Sequence, residues 1–303
     1  MTLPNFLIIG TAKAGTTSLN NYLDEHPQIY MSPRKELNFF AIEGERQDDY
    51  CGNFQGDSDT PNFITNLESY CRFFEKVSSE VAIGEASPLY LLSPKAPDTI
   101  KHYIPDVKLI AILRDPVERA YSDFLFNLSR GAEPIADFSQ AIAAEPERIC
   151  QNYWFRWHYK QRGFYYAQLK RYFDKFASNQ IKVYLYEDFQ ADSLSVLNDT
   201  FVFLGVDDNF CPNISQKYNV TSIPKNRTLN KFLDPRNPTS TFLRKFVSPE
   251  LRKSVKSRLL NLNRRPKPPL LPEVRKQLIE EYREDILKLQ ELLDKDLTSW
   301  LTV

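Results

Sequence analysis

The chain has 303 residues, with 39 Lys and Arg balanced by 39 Asp and Glu; at zero formal net charge no global field draws it to nucleic acid or an anionic membrane, so any anion site must be local. The length suffices for one large α/β domain or two small ones, and with 42% hydrophobic and 26% charged residues a packed core is expected. No apolar run approaches the roughly 18–20 residues of a membrane span, residues 1–10 lack the basic start and cleavage site of a signal peptide, and the four cysteines (Cys51, Cys71, Cys150, Cys211) form no CxxC pair, which disfavours a metal site and fits reduced thiols in a cytoplasm.

In chain order, residues 5–10 predict a short buried strand closed by Gly10. Residues 15–25 predict a helix, stopped at His26-Pro27 because the residue before proline leaves the helical region. A polar stretch over 42–66 reads as a surface loop, within an insertion near 42–80. Val81–Gly84 predicts a second strand leading into Glu85-Ala86-Ser87-Pro88, and Val107–Leu113 is the clearest buried strand, followed by a helix over 116–130. A helix over 163–177, a strand over Ile181–Tyr186 and a helix over 188–204 continue the alternation. Residues 221–272 are irregular, rich in Pro and basic side chains, and 273–293 is a strong last helix with Val274, Leu278, Tyr282, Ile286 and Leu289 at helical spacing. Strands alternating with helices predict a P-loop-like α/β fold: a central parallel sheet flanked by helices on both faces. One domain over 1–303 is the simplest division.

Gly10-Thr11-Ala12-Lys13-Ala14-Gly15-Thr16-Thr17-Ser18 sits between a strand and a helix. Successive backbone N–H groups at such a turn form an anion nest, and the helix N-terminus adds about half a positive charge. The two glycines have the spacing of a nucleoside-triphosphate loop, but Thr16 stands where that motif requires lysine, and the lysine lies three residues earlier at 13. No acidic metal ligand ends an early strand, as Mg²⁺-dependent phosphoryl transfer would want. Those departures argue against a kinase or other nucleotide phosphotransferase. A non-catalytic nucleotide-binding module is the third class, separable from an enzyme by turnover.

A second anion element follows the strongest strand. Arg114 stands at its carboxyl end, where ligands of open α/β sheets bind, and its planar fork suits bidentate phosphate binding. Ser122 lies eight residues on, two turns into the following helix.

Together these motifs resemble the sulfotransferases that use 3′-phosphoadenosine-5′-phosphosulfate (PAPS), in the branch of the heparan-sulfate sulfotransferases and their bacterial relatives. The likeness is densest over FLIIGTAKAGTTSLNNYLDEHPQI. It implies sulfuryl transfer from PAPS with adenosine 3′,5′-bisphosphate as product and no metal. Lys13, Ala14, Gly15, Thr16, Thr17 and Ser18 would hold the 5′-phosphosulfate, with Lys13 facing the departing oxygen. Arg114 and Ser122 match the family's 3′-phosphate pair, and Lys225, Asn226 and Arg227 its basic loop over the nucleotide. Lys35-Glu36-Leu37-Asn38-Phe39-Phe40 resembles its Lys-Glu-x-x-Phe-Phe element, which makes Glu36 the general base. Glu85 is the second catalytic carboxylate, expected to orient the acceptor or the loop and the alternative to Glu36 as the base. Carbohydrate-acting members carry lysine where this chain has Ala86, which weakens a heparan-like acceptor. Arg162–Leu169 also matches the family and reads as helix start and core. The acceptor is expected to be a hydroxyl of a small molecule, lipid or carbohydrate, less an amine. With no carrier or thioesterase segment after its Met, a free-standing enzyme is expected; nothing in the sequence speaks to oligomeric state.

Overall fold

The computed structural model describes residues 2–51, 63–215, 223–224, 264–265 and 267–303. Five parallel strands form its main sheet in the order β2-β3-β1-β4-β5: β1 (Phe6–Gly10), β2 (Ile29–Met31), β3 (Ala82–Ala86), β4 (Lys108–Leu113) and β5 (Ile181–Leu185). β1 lies at the centre, with Phe6 opposite Gly84 on one side and Lys108 on the other. Every residue of β1 is buried, as expected of a parallel strand covered on both faces. The period-2 alternation splits the core in two. Leu7, Ile9, Leu109 and Ala111 enter the larger hydrophobic cluster, while Phe6, Ile8, Ile110 and Ile112 enter the smaller one on the opposite face. The Phe6 ring lies so close over Gly84 that a Cβ there would stand 2.2 Å from it, so β3 needs a glycine at this point.

Helices α1 (Thr16–Asp24), α10 (Tyr186–Ala191) and α11 (Ser193–Leu204) contribute to the smaller cluster. The larger takes side chains from α2 (Phe39–Ile42), α3 (Leu67–Cys71), α4 (Leu89–Leu92), α5 (Ala96–Tyr103), α6 (Pro116–Arg130), α7 (Phe138–Ala143), α9 (Tyr165–Phe173) and α12 (Pro272–Leu293). A further short helix, α8, covers Glu145–Cys150. Among the described residues no helix is long and apolar enough to cross a membrane.

Several boundaries differ from the sequence reading. β3 runs two residues past the expected Gly84, so Glu85 and Ala86 belong to the strand, and Val81 is left 52% exposed before it. β2 is only three residues long, too short for a periodic pattern. α5, α7 and α8 fall in stretches not read as elements. The helix expected over 188–204 is two, because the Asp192 side chain accepts from Ser195 N–H at 3.0 Å and caps a new start. α6 matches its prediction: Asp115 accepts from Val117 and Glu118 N–H at 2.8 and 3.1 Å, Pro116 occupies the first turn, and Gly131 ends it in the left-handed conformation. Within the basic segment, residues 223–224 pair antiparallel with 264–265.

Candidate active site

The carboxyl ends of β1, β4 and β3 carry the site. After β1 the chain turns through Lys13 (φ 68) and Gly15 (φ 88) into α1. Gly15 is the N-cap residue and, among the described residues, gives the helix no side-chain cap; the start of α1 brings the positive end of its dipole to this turn. A side chain at 15 would be strained by the positive φ and would press on the Tyr186 and Phe189 rings at 3.2–3.3 Å. α1 has no acidic residue in its first turn. Ala14 and Thr16 are buried, while Thr17 and Ser18 are partly open.

The two anion elements of the sequence meet. Arg114, at the end of β4, donates from Nη1 to the Lys13 carbonyl oxygen at 3.1 Å. Its guanidinium lies over the Tyr186 ring, 4.8 Å from the centroid, and Nη2 stands 3.8 Å from a Glu118 carboxylate oxygen. The Tyr165 hydroxyl donates to the Arg114 carbonyl at 2.9 Å. Glu118 also pairs with Lys267 and Arg275; burial opposes its charge, but these cations hold its carboxyl below the usual range. Ser122, two turns along α6, is buried.

Lys13 reaches across to α6, its Nζ 3.8 Å from the Phe126 ring centroid. The Arg130 guanidinium lies 4.4 Å from the same centroid. Burial pulls the Lys13 ammonium down to about 8; Asp123 and Glu36 favour its charge, and Arg130 and Arg114 oppose it. Asp123 is itself held by Arg119 at 3.2 Å and Arg162 at 3.0 Å. An anion arriving here would hold the ammonium's charge to higher pH, because an opposite charge favours the ionised form.

On the β3 side, Lys35 Nζ donates to Thr17 Oγ1 at 2.9 Å and so joins the Lys-Glu element to α1. Burial lowers the Lys35 ammonium while Glu36 and Glu85 support it. Glu36 is solvent-exposed with φ 59, and its N–H donates to the Ala86 carbonyl at 2.9 Å. Glu85 is fully buried at the strand end. It accepts from Ser87 Oγ at 2.7 Å, Tyr90 Oη at 2.5 Å and Tyr70 Oη at 3.4 Å. Burial pushes its carboxyl up to about 7, the three hydroxyls pull it down, and Glu36 raises it. Phe39 stacks on Tyr70 with centroids 4.7 Å apart, and Phe40 packs edge-on against Tyr90 at 5.5 Å.

Lys225, Asn226 and Arg227 lie outside the described residues. His26 is buried, receiving the Gln28 N–H on Nδ1 and facing the Asp207 carbonyl with Nε2. Burial pulls His158 down to about 4. Asp123, Phe126 and Arg130 were not singled out in the sequence. The signal was available: with Arg119 and Ser122 they recur at three- and four-residue steps along one helix.

The sulfotransferase family's profile matches residues 4–209. The chain belongs to the sulfotransferase family, whose members carry out sulfuryl transfer. The chain is 35% identical over 143 residues to the membrane-associated sulfotransferase kil1 of Dictyostelium discoideum, a match covering 45% of this chain and 26% of that protein. It is 27% identical over 209 residues to the Homo sapiens bifunctional heparan sulfate N-deacetylase/N-sulfotransferase 3, covering 67% of this chain and 22% of that one. The chain thus spans about a quarter of the length of these curated relatives. Among solved structures, it superposes on a sulfotransferase from Alicyclobacillus acidocaldarius with a TM-score of 0.75 and 32% identity, over 100% of both chains. The sulfotransferase domain of the curacin biosynthetic pathway shares the fold at 15% identity, with a TM-score of 0.50.

Proposed function

We propose that this sulfotransferase moves a sulfuryl group from PAPS to an acceptor hydroxyl, with Glu36 taking the acceptor's proton. The observation that carries the reading is the hydrogen bond from Arg114 to the Lys13 carbonyl. It joins two anion elements 101 positions apart in sequence into one cationic crevice, as a donor with two separate phosphate positions requires. The residues present fit such a donor: Lys13 and Arg114 supply charge, the start of α1 supplies N–H groups, and Thr16, Thr17, Ser18 and Ser122 supply hydroxyls.

In this reading the Gly10–Ser18 loop, including Ala14 and Gly15, wraps the 5′-phosphosulfate, and Arg114 with Ser122 holds the 3′-phosphate. By family resemblance, Lys225, Asn226 and Arg227 cover the nucleotide. Such a reaction is mostly positioning and charge stabilisation. The acceptor oxygen bonds to sulfur as the bond from sulfur to the 5′-phosphate oxygen breaks. The acceptor proton passes to the Glu36 carboxylate, and the charge left on the phosphate oxygen of adenosine 3′,5′-bisphosphate is met by Lys13. Glu85, enclosed by three hydroxyls, orients the acceptor side and does not exchange protons with the acceptor. We place the acceptor among hydroxyl compounds: a small molecule, a lipid or a carbohydrate. An amine is the second reading, favoured by the N-sulfotransferase named among the relatives.

Calorimetric titration tests the donor. Adenosine 3′,5′-bisphosphate should bind without metal and at least tenfold more tightly than ATP with Mg²⁺. Equal affinity for the two, or a Mg²⁺ requirement, would sink the PAPS assignment.

A further inference from the structure

The backbone around the proposed base is held in an unusual way. Glu36 and Asn38 are both left-handed, with φ 59 and 58, a conformation that asparagine tolerates but that a glutamate adopts rarely and where its surroundings hold it. Three hydrogen bonds lay this stretch along the end of β3. Ser32 N–H donates to the Gly84 carbonyl at 2.8 Å, Glu36 N–H to the Ala86 carbonyl at 2.9 Å, and Asn38 N–H to Ser87 Oγ at 3.0 Å. The first two use backbone acceptors that any residue would provide. The third depends on one side chain.

That side chain is fixed from both directions. Ser87 is fully buried, and its N–H donates to the Ile8 carbonyl of β1 at 3.0 Å. Its single hydroxyl proton goes to Glu85 Oε2 at 2.7 Å, which leaves the oxygen lone pairs for the Asn38 amide. Glu85 cannot turn away, because Tyr90 and Tyr70 donate to its other oxygen. Those same tyrosines carry Phe40 and Phe39, the residues that follow Asn38. Among the described residues the buried Asn38 side-chain oxygen has no hydrogen-bond partner, and it is the Asn38 backbone N–H that bonds to Ser87.

We propose that Ser87 is a positioning residue for the Glu36 carboxylate: its hydroxyl transmits the fixed orientation of Glu85 to the Asn38 amide and thereby holds the Glu36–Asn38 turn against the end of β3. This rests on the reading of Glu36 as the base. Ser87 touches neither donor nor acceptor. Its effect falls on the transfer step, where a small displacement of a reacting group costs roughly a hundredfold, and not on donor affinity.

The test uses the full chain carrying Ser87→Ala. Amide hydrogen exchange should accelerate at least tenfold at Asn38 and stay unchanged at Ile110 in the sheet. The initial rate of label transfer from saturating radiolabelled PAPS into an extract of the source cells should fall roughly tenfold to a hundredfold. Affinity for adenosine 3′,5′-bisphosphate should stay within about threefold of the parent chain. Ser87→Cys, nearly the same size with a weaker donor, should lie between the two. If Ser87→Ala does not fold, Ser87→Cys carries the test, with a severalfold loss of transfer at unchanged bisphosphate affinity expected. Transfer within twofold of the parent overturns the proposal, as does an equal loss of transfer and bisphosphate affinity. Glu36→Gln, measured alongside, separates the two readings. If Glu36→Gln is inactive while Ser87→Ala is fully active, the proposal fails and the base stands. If Glu36→Gln is active, both fall together.

Discussion

The two sides of the site are built from opposite materials. The side we propose for the donor, at the ends of β1 and β4, is backbone N–H groups and cations: a left-handed Gly15 opening α1 and an Arg114 bonded to the Lys13 carbonyl. The side we propose for the acceptor, at the end of β3, is carboxylates and hydroxyls: Glu36 exposed, Glu85 buried, with Ser87, Tyr70 and Tyr90 around it. Cations in a crevice hold an anion whatever its exact pose, and so suit binding. A carboxylate that must meet one proton has to be placed, so the second side carries the buried hydrogen-bond network of Glu85, Ser87, Tyr70 and Tyr90. The difference predicts that substitutions on the two sides separate affinity from rate.

The largest separation is expected at Glu36. Glu36→Gln should lower kcat by about 10²–10⁴-fold while retention on immobilised adenosine 3′,5′-bisphosphate is unchanged. A matching loss of retention would place Glu36 on the donor side and collapse the distinction. The mirror-image change is Arg114→Ala. Losing a charged hydrogen bond to phosphate should weaken bisphosphate binding roughly tenfold to a hundredfold, with a smaller change in kcat at saturating PAPS. Calorimetry that finds the affinity intact would remove Arg114 from the phosphate.

A smaller effect concerns pH. The Lys13 ammonium of the free enzyme loses its proton near 8, and only the charged form attracts an anionic donor. kcat/KM for PAPS should therefore fall as pH rises above about 8, while kcat, which reports the donor-bound enzyme, holds to higher pH. Lys13→Arg should abolish that alkaline limb even at reduced activity; a limb that persists belongs to another group.

The smallest effect is on stability. Glu85 keeps its proton in the fold up to about pH 7, against 4.5 as its ordinary value. Between these values the folded chain binds more protons than the unfolded one, so this group makes stability fall as pH rises. Melting temperatures of Glu85→Gln should decline less than those of the parent between pH 5 and 7, and parallel curves would show that Glu85 is ionised throughout.

The same contrast explains what could be read from the sequence. The donor side is local: a strand, a glycine turn and a helix within Phe6–Asp24, and Leu113-Arg114-Asp115-Pro116 with its own cap, so short motifs and strand hydrophobicity revealed both. The five-stranded core was equally legible wherever a strand was long and apolar; β2, at three residues, carried too little pattern. The acceptor side is assembled from distant parts. Asn38 meets Ser87 across 49 positions, and Tyr70 reaches Glu85 across 15. The burial of Glu85 was not legible, because nothing in Gly84-Glu85-Ala86-Ser87-Pro88 foretells the two tyrosines that enclose it. Phe126 escaped notice because a ring on a helix reads as core until Lys13, 113 positions earlier, is seen lying against it at 3.8 Å.

The division of labour is tested most directly by one paired measurement: transfer of label from radiolabelled PAPS into an extract of the source cells by the parent chain and by Glu36→Gln, each first shown to be retained on immobilised adenosine 3′,5′-bisphosphate. The account predicts equal retention, with labelled product from the parent chain and at most about a hundredth of it from Glu36→Gln. Equal product from both chains, or retention lost together with product, would contradict it.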